Sequence, residues 1–246
     1  MTFLFSDGCK NIFLSATPEK HLSVTGKHVE MNPIAGTLRK IDPADTRIFH
    51  DRLSDFLNDP KESRELAQVL DEELKMMERI CEGGGEITGP FLRQNGAVIH
   101  TEYLLSGEKK RNTHPIKLLQ NTLHAPTLVG SPLISASKII AKYEDTHSSD
   151  SSRGYYGGEI GILESNGDLD TAIAIRMTHI VDRTQVIIRS GAGITHSSIA
   201  EKELVEMNMK AQGIMNILLG KTNPYQDVED EFKHEKIQAL LKQRNE

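Results

Sequence analysis

In KNIFLSATPEKHLSVTGKHVEMNPIAGT, residues 10–37, apolar and polar positions form short runs broken at Thr17-Pro18, Gly26-Lys27 and Asn32-Pro33. That pattern predicts short strands separated by turns. From Pro43 the period changes. Ile48, Leu53, Phe56 and Leu57 recur at helical spacing, and Asp59-Pro60 stops the run. Residues 61–81 predict a long helix whose apolar stripe is Leu66, Val69, Leu70, Leu74, Met77 and Ile80, ended by GGGE at 83–86. EITGPFLRQ and AVIHTEYLLSG follow as strands, then HPIKLLQNTLH and SPLISASKIIAKYE as helices. HSSDSSRG, residues 147–154, is a polar loop.

Three strand-like stretches come next: YYGGEIGILES, DTAIAIRMTHIV after a turn at Asn166-Gly167, and TQVIIRSGAGI. Ala172, Ala174 and Arg176 are expected on one face of the middle strand, with Ile173, Ile175 and Met177 on the other. A helix is expected from about Ile199 to Leu219, and the tail DVEDEFKHEKIQALLKQRNE as a charged surface helix. Strands and helices cluster rather than alternate, which predicts an α+β fold with largely antiparallel sheet. Neither repeat nor linker interrupts the chain, so residues 1–246 are expected to form one domain.

Composition adds exclusions. The 246 residues are 37% apolar and 26% charged, an ordinary globular balance. A net charge of -6, with no basic run, argues against a nucleic-acid or membrane-surface partner. Cys9 and Cys81 have no metal spacing and no disulfide framework, which suggests a reducing cytoplasm. MTFLFSDGCK lacks the charged and apolar regions of a signal peptide, and no apolar run reaches membrane-spanning length.

The candidate chemistry centres on two Glu-x-x-Glu pairs, Glu62 and Glu65 on the long helix and Glu203 and Glu206 on the last one. Carboxylates three apart share a helix face and repel. Each pair is either a solvated surface or half of a site. Together they could supply four converging carboxylates, the hard oxygen ligands that suit magnesium. RSGAGI, residues 189–194, is either a strand-to-helix turn or a place where backbone amides approach an anion closely. Tyr155 and Tyr156 alternate faces, so one suits the core and the other a ligand. Arg176 needs a carboxylate, from a ligand or from an internal ion pair. His100 is either a core histidine bonded to backbone or a general acid.

PIAGT (33–37), ESRELAQVLDEELKMMERIC (62–81), TLVGSP (127–132), RGYYGGEIGIL (153–163), GDLDTAIAIR (167–176), SGAGI (190–194) and EKELVEMNMKA (201–211) occur in an order and spacing that resemble the chorismate-utilising enzymes. That family includes anthranilate, aminodeoxychorismate, isochorismate and salicylate synthases. MNPIAGTLRK, DEELKMMERIC, HTEY and HAPTLVGSP are most similar to the phenazine-pathway branch, which makes 2-amino-2-deoxyisochorismate from chorismate and ammonia. The resemblance implies the chorismate-binding fold, with helices packed outside antiparallel sheets. It makes Glu65 and Glu206 ligands of a magnesium ion, with Glu62 and Glu203 supporting the metal and its waters. His100 matches a histidine beside the ring, and Lys210 a lysine on the ligand helix. Tyr156, Arg176, Gly191, Ala192 and Gly193 match the pocket for the enolpyruvyl carboxylate. Gly36, Thr37 and Thr127 match smaller contacts.

The family domain is longer, and this chain corresponds to its C-terminal part. A homodimer or a complementing N-terminal chain is therefore an expected partner, and exposed apolar faces are expected without one. No amidotransferase motif is present, so ammonia would come from a separate glutamine amidotransferase subunit or from solution. Anthranilate synthase component I, or a chorismate-binding chain without activity, are the alternatives. Glu159 in YYGGEIG departs from the family pattern and would oppose an anionic ligand unless it points away.

Overall fold

The computed structural model describes residues 1–39, 46–95, 98–144 and 152–220. Most of the polar loop at 147–154, the charged tail from 227 and the predicted helix start at Pro43 lie outside the described residues.

The strands form two sheets, and every pairing is antiparallel. The short N-terminal strands appear where the turn residues predict them: β2 (Asn11–Ala16), β3 (Lys20–Thr25), β4 (His28–Met31) and β5 (Ile34–Arg39). A further strand, β1 (Thr2–Ser6), pairs with β2 and was not anticipated from MTFLFS. Two helices follow, α1 (Thr46–Asn58) and α2 (Pro60–Ile80). Asp59 caps α2 by accepting a 2.7 Å bond from the Lys61 amide, and Pro60 occupies the first turn. Leu66, Val69, Met77 and Ile80 of the predicted stripe are buried, and Leu70 and Leu74 pack at its margin.

The glycine run does not end α2. The helix stops at Ile80, and GGGE lies inside β6 (Cys81–Asn95). Gly83 and Gly84 adopt φ of 74° and 87°, and the register to β7 (Val98–Lys109) shifts between Glu82 and Glu86. The glycines make a bulge that bends a long strand. β7 is central. It pairs with β6 along one edge, and along the other first with β5 and then with β4.

The helices α3 (Pro115–Thr122) and α5 (Leu133–Tyr143) match their patterns, with an unpredicted short helix α4 (Pro126–Val129) between them. β8 (Glu159–Leu163) and β9 (Leu169–Ile173) complete the seven-stranded sheet, in the order β5-β7-β4-β3-β9-β8 with β6 on β7. The stretch DTAIAIRMTHIV is not one strand. It breaks after Ile173, Arg176 takes a φ of 49°, and the chain re-enters the other sheet as β10 (Met177–Val181). β11 (Gln185–Ile188) and α6 (Ala200–Leu218) end the described fold, with β1-β2-β10-β11 forming the four-stranded sheet. Among the described residues no helix is long and apolar enough to cross a membrane.

The largest core cluster packs Met76, Met77 and Ile80 of α2 and Leu118 of α3 onto Leu22, Val24, Val29 and Leu105 of the sheet. Phe49, Leu53, Phe56 and Leu57 of α1 cover Ile99 at the other end of β7. Large apolar side chains also remain exposed, among them Leu4, Ile134, Ile162 and Ile217. Leu105→Ala should lower the unfolding free energy in urea by about 2–5 kcal/mol, because it empties a fully enclosed position, whereas Ile162→Ala should shift it by less than about 0.5 kcal/mol.

Candidate active site

A cavity of about 660 Å³ draws its walls from both sheets, α2, α4 and α6. Of the site residues expected from sequence, His100, Lys210, Gly36, Thr37, Thr127, Tyr156, Arg176, Gly191, Ala192, Gly193, Glu65 and Glu206 all line it. Glu62 and Glu203 do not; each stands one helical turn before Glu65 or Glu206 on its helix.

At one end α2 and α6 bring the acidic pairs together. Burial and the neighbouring Glu65 push the Glu62 carboxyl up to about 7, and Glu206 adds to the effect. Glu65 is raised by burial and then by Glu206 and Glu203. Lysines hold the two α6 carboxylates: Lys61 Nζ lies 2.6 Å from Glu203 Oε1, and Lys210 Nζ lies 2.6 Å from Glu206 Oε1. Burial opposes ionisation of Glu203, but the Lys61 and Ser198 bonds outweigh it and leave the pKa lowered. Two ammoniums against four carboxylates leave this end short of positive charge.

Close packing requires glycine on the opposite wall. A Cβ on Gly36 would fall 2.6 Å from Glu62 Oε2, at a φ of 68° that disfavours a side chain, and one on Gly193 would fall 2.9 Å from Glu65 Oε1. As the side chains stand, no three acidic or histidine groups among the described residues surround one metal position. The chemistry of the set still fits a hard divalent cation. All the donors are carboxylate oxygens, and Glu62 Oε2 is buried with no hydrogen-bond partner.

The same cavity also holds a cation, Arg176. Arg176, half-buried at the strand break, pairs with no carboxylate among the described residues, so the internal ion pair does not form. Burial lowers its pKa, while Tyr156, Glu206 and Glu19 pull it back. Tyr156 faces the cavity, and its hydroxyl would meet a Gly191 Cβ at 3.3 Å. Tyr155 instead packs edge-on to Phe13, with ring centroids 4.6 Å apart. Lys210 also donates to the Gly191 carbonyl at 3.3 Å, and Ser190 Oγ donates to the Met207 carbonyl at 2.8 Å, tying the glycine turn to α6.

His100 is anchored to the backbone. Its Nδ1 donates to the Gly36 carbonyl at 2.7 Å, which leaves Nε2 as a buried lone pair without a partner. Burial, then Arg176 and Lys210, hold its pKa down to about 4, against the pull of the Gly36 bond. Glu159 points away: it does not line the cavity, and burial raises its carboxyl to about 7.

Sequence reasoning missed three features. Glu19, between Pro18 and β3, lines the cavity at 2% exposure. Burial raises its carboxyl to about 8 despite Thr127, the Ile34 amide, Lys210 and Arg176 nearby, so it holds a proton at neutral pH. Arg153, clasped by Glu144 and donating to the Leu128 carbonyl at 2.9 Å, lines the mouth. Lys61 was read only as a helix start. Of these, only Arg153 fell within a recognised motif; Glu19 and Lys61 have ordinary local sequence.

The buried Glu19 predicts a pH effect. Its folded pKa lies above the ordinary value of 4.5, so the folded chain keeps a proton that the unfolded chain loses. The stability it contributes is complete below about pH 4.5 and is lost as pH rises through about 8. Urea unfolding from about pH 5 to about pH 9 should show a shallower decline in Glu19→Gln than in the parent.

The family model for a chorismate binding enzyme matches residues 1–216. The chain is 40% identical over 221 residues to a phenazine-specific anthranilate synthase of Pseudomonas chlororaphis, covering 88% of this chain and 33% of that protein. It superposes on a Bacillus anthracis protein described as a 2,3-dihydroxybenzoate-specific isochorismate synthase with a TM-score of 0.76 and 27% identity, covering 89% of this chain and 57% of that one. Anthranilate synthase component I of Streptococcus pneumoniae TIGR4 gives 0.72 and 29%, over 87% of this chain and 46% of that one. This chain thus spans about a third of the curated relative. The chain belongs to the chorismate-binding enzyme family.

Proposed function

We propose that the cavity binds chorismate and, with magnesium and ammonia, converts it to 2-amino-2-deoxyisochorismate. The observation that carries this reading is a single cavity that holds both a carboxylate pair, Glu65 and Glu206, and the cationic Arg176 beside Tyr156, with the Gly191–Gly193 turn between them. A small dianion with two separated carboxylates fits that layout. Glu65 and Glu206 would hold the magnesium, with Glu62 and Glu203 one turn before them on the same helices. When bound, the ion supplies Lewis acidity and a fixed orientation for the ring carboxylate.

Arg176 would grip the enolpyruvyl carboxylate with two parallel N–H bonds, aided by the Tyr156 hydroxyl and the glycine amides. Glu19, protonated at neutral pH, would give its proton to the departing C4 hydroxyl, which leaves as water. Ammonia adds at C2 and loses a proton, so the enolpyruvyl group is retained. The Nε2 lone pair of His100 is a suitable acceptor beside the ring. The phenazine branch is favoured by the 40% identity to a phenazine-specific relative. Ammonia would reach the cavity from a separate amidotransferase subunit or from solution. The exposed apolar faces suit a homodimer or a complementing chain.

The test is incubation with chorismate, ammonium and magnesium, followed by mass spectrometry. The expected product retains the enolpyruvyl group and carries an amino group. Anthranilate with free pyruvate, isochorismate alone, or chorismate binding without turnover would overturn the reading. Glu65→Gln and Glu206→Gln should each cut turnover by about 100-fold or more, and chelation of the metal should abolish it reversibly.

A further inference from the structure

We infer that Lys61 is a positioning residue: its bond to Glu203 is a strut that holds α6 against α2 and keeps Glu206 facing Glu65. Glu203 is the one buried side chain of α6, and it is a charged one. The helix leaves Leu204, Val205, Ile217 and Leu218 exposed, and none of its apolar side chains is more than half-buried. What ties it down near the cavity is polar, and the shortest tie between the two helices is Lys61 Nζ to Glu203 Oε1 at 2.6 Å.

The geometry is a pair of rungs between the same helices. Lys61 and Glu65 are one turn apart on α2, and Glu203 and Glu206 are one turn apart on α6. The first rung attracts and the second, at the cavity wall, repels. Lys61 is 24% exposed and Glu203 6%, so water screens the attraction only in part. The attractive rung offsets the repulsive one and keeps two like charges face to face. On this assignment Glu203 works through Lys61 rather than on the metal.

The proposal uses the magnesium reading only in its second measurement. In hydrogen exchange, amides of α6 in Lys61→Met should exchange about tenfold faster or more, while β7 and α3 amides are unchanged. Lys61→Arg, which can still reach Glu203, should stay near the parent. The Lys61→Met/Glu203→Met double variant should loosen α6 no further than either single change. Unchanged exchange in Lys61→Met, or additive effects in the double variant, would overturn the strut.

Titration with magnesium alone, followed by calorimetry, gives an opposite sign for the competing explanation. A cation that merely lowers local negative charge should leave tighter magnesium binding when it is removed. Loss of a strut should leave it about tenfold weaker, because the carboxylates are no longer pre-set. Unchanged or tighter binding in Lys61→Met would overturn the positioning role. If the parent itself binds no magnesium, the metal reading falls and the exchange data alone decide the strut.

Discussion

Like charges held face to face inside a partly dry cavity are the constraint on which this structure turns. Burial makes Glu62 and Glu65 costly to ionise, and neighbouring carboxylates, Glu206 among them, add to that cost. Such an arrangement persists only if the surrounding fold fixes the helices that carry it and if positive charge stands close by. Lys61 and Lys210 supply part of that charge from the same two helices. Gly36 and Gly193 give the carboxylates room that any side chain would take away. The residual negative charge is a binding opportunity for a cation, and Arg176 on the cavity wall, which pairs with no carboxylate among the described residues, is one for an anion.

The fold serves this polarity through two irregularities. Breaking the strand at Arg176, with its left-handed backbone, lets the chain change sheets and leaves the guanidinium on the cavity wall. Placing β5 and β4 end to end along one edge of β7 brings Gly36 beside His100, whose imidazole is fixed by the Gly36 carbonyl. Regular secondary structure positions the core, and its interruptions position the chemistry.

Much of this was visible in the sequence because it is local. The stripe from Leu66 to Ile80, the turns at Thr17-Pro18 and Asn32-Pro33, and the helix across the last acidic pair follow from period and punctuation alone. Ordered motifs then located nearly all of the cavity wall. What escaped is set by tertiary contact. MTFLFS becomes a strand only because β2 offers an edge, and the glycines at 83–85 become a bulge because β7 continues past them. The alternation through Ala172–Met177 concealed a change of sheet. Glu19 looks like any charged turn residue until β5 and α4 close over it. Lys61 needs α6, far away in sequence, to acquire a partner.

The most direct test of the cavity's polarity is a crystal structure of the chain grown with manganese, as an anomalous stand-in for magnesium, and chorismate. The account predicts an anomalous peak between Glu65 and Glu206, with one ligand carboxylate on that ion and the other on Arg176. Ligand bound with its carboxylates elsewhere, or manganese away from both glutamates, would contradict it.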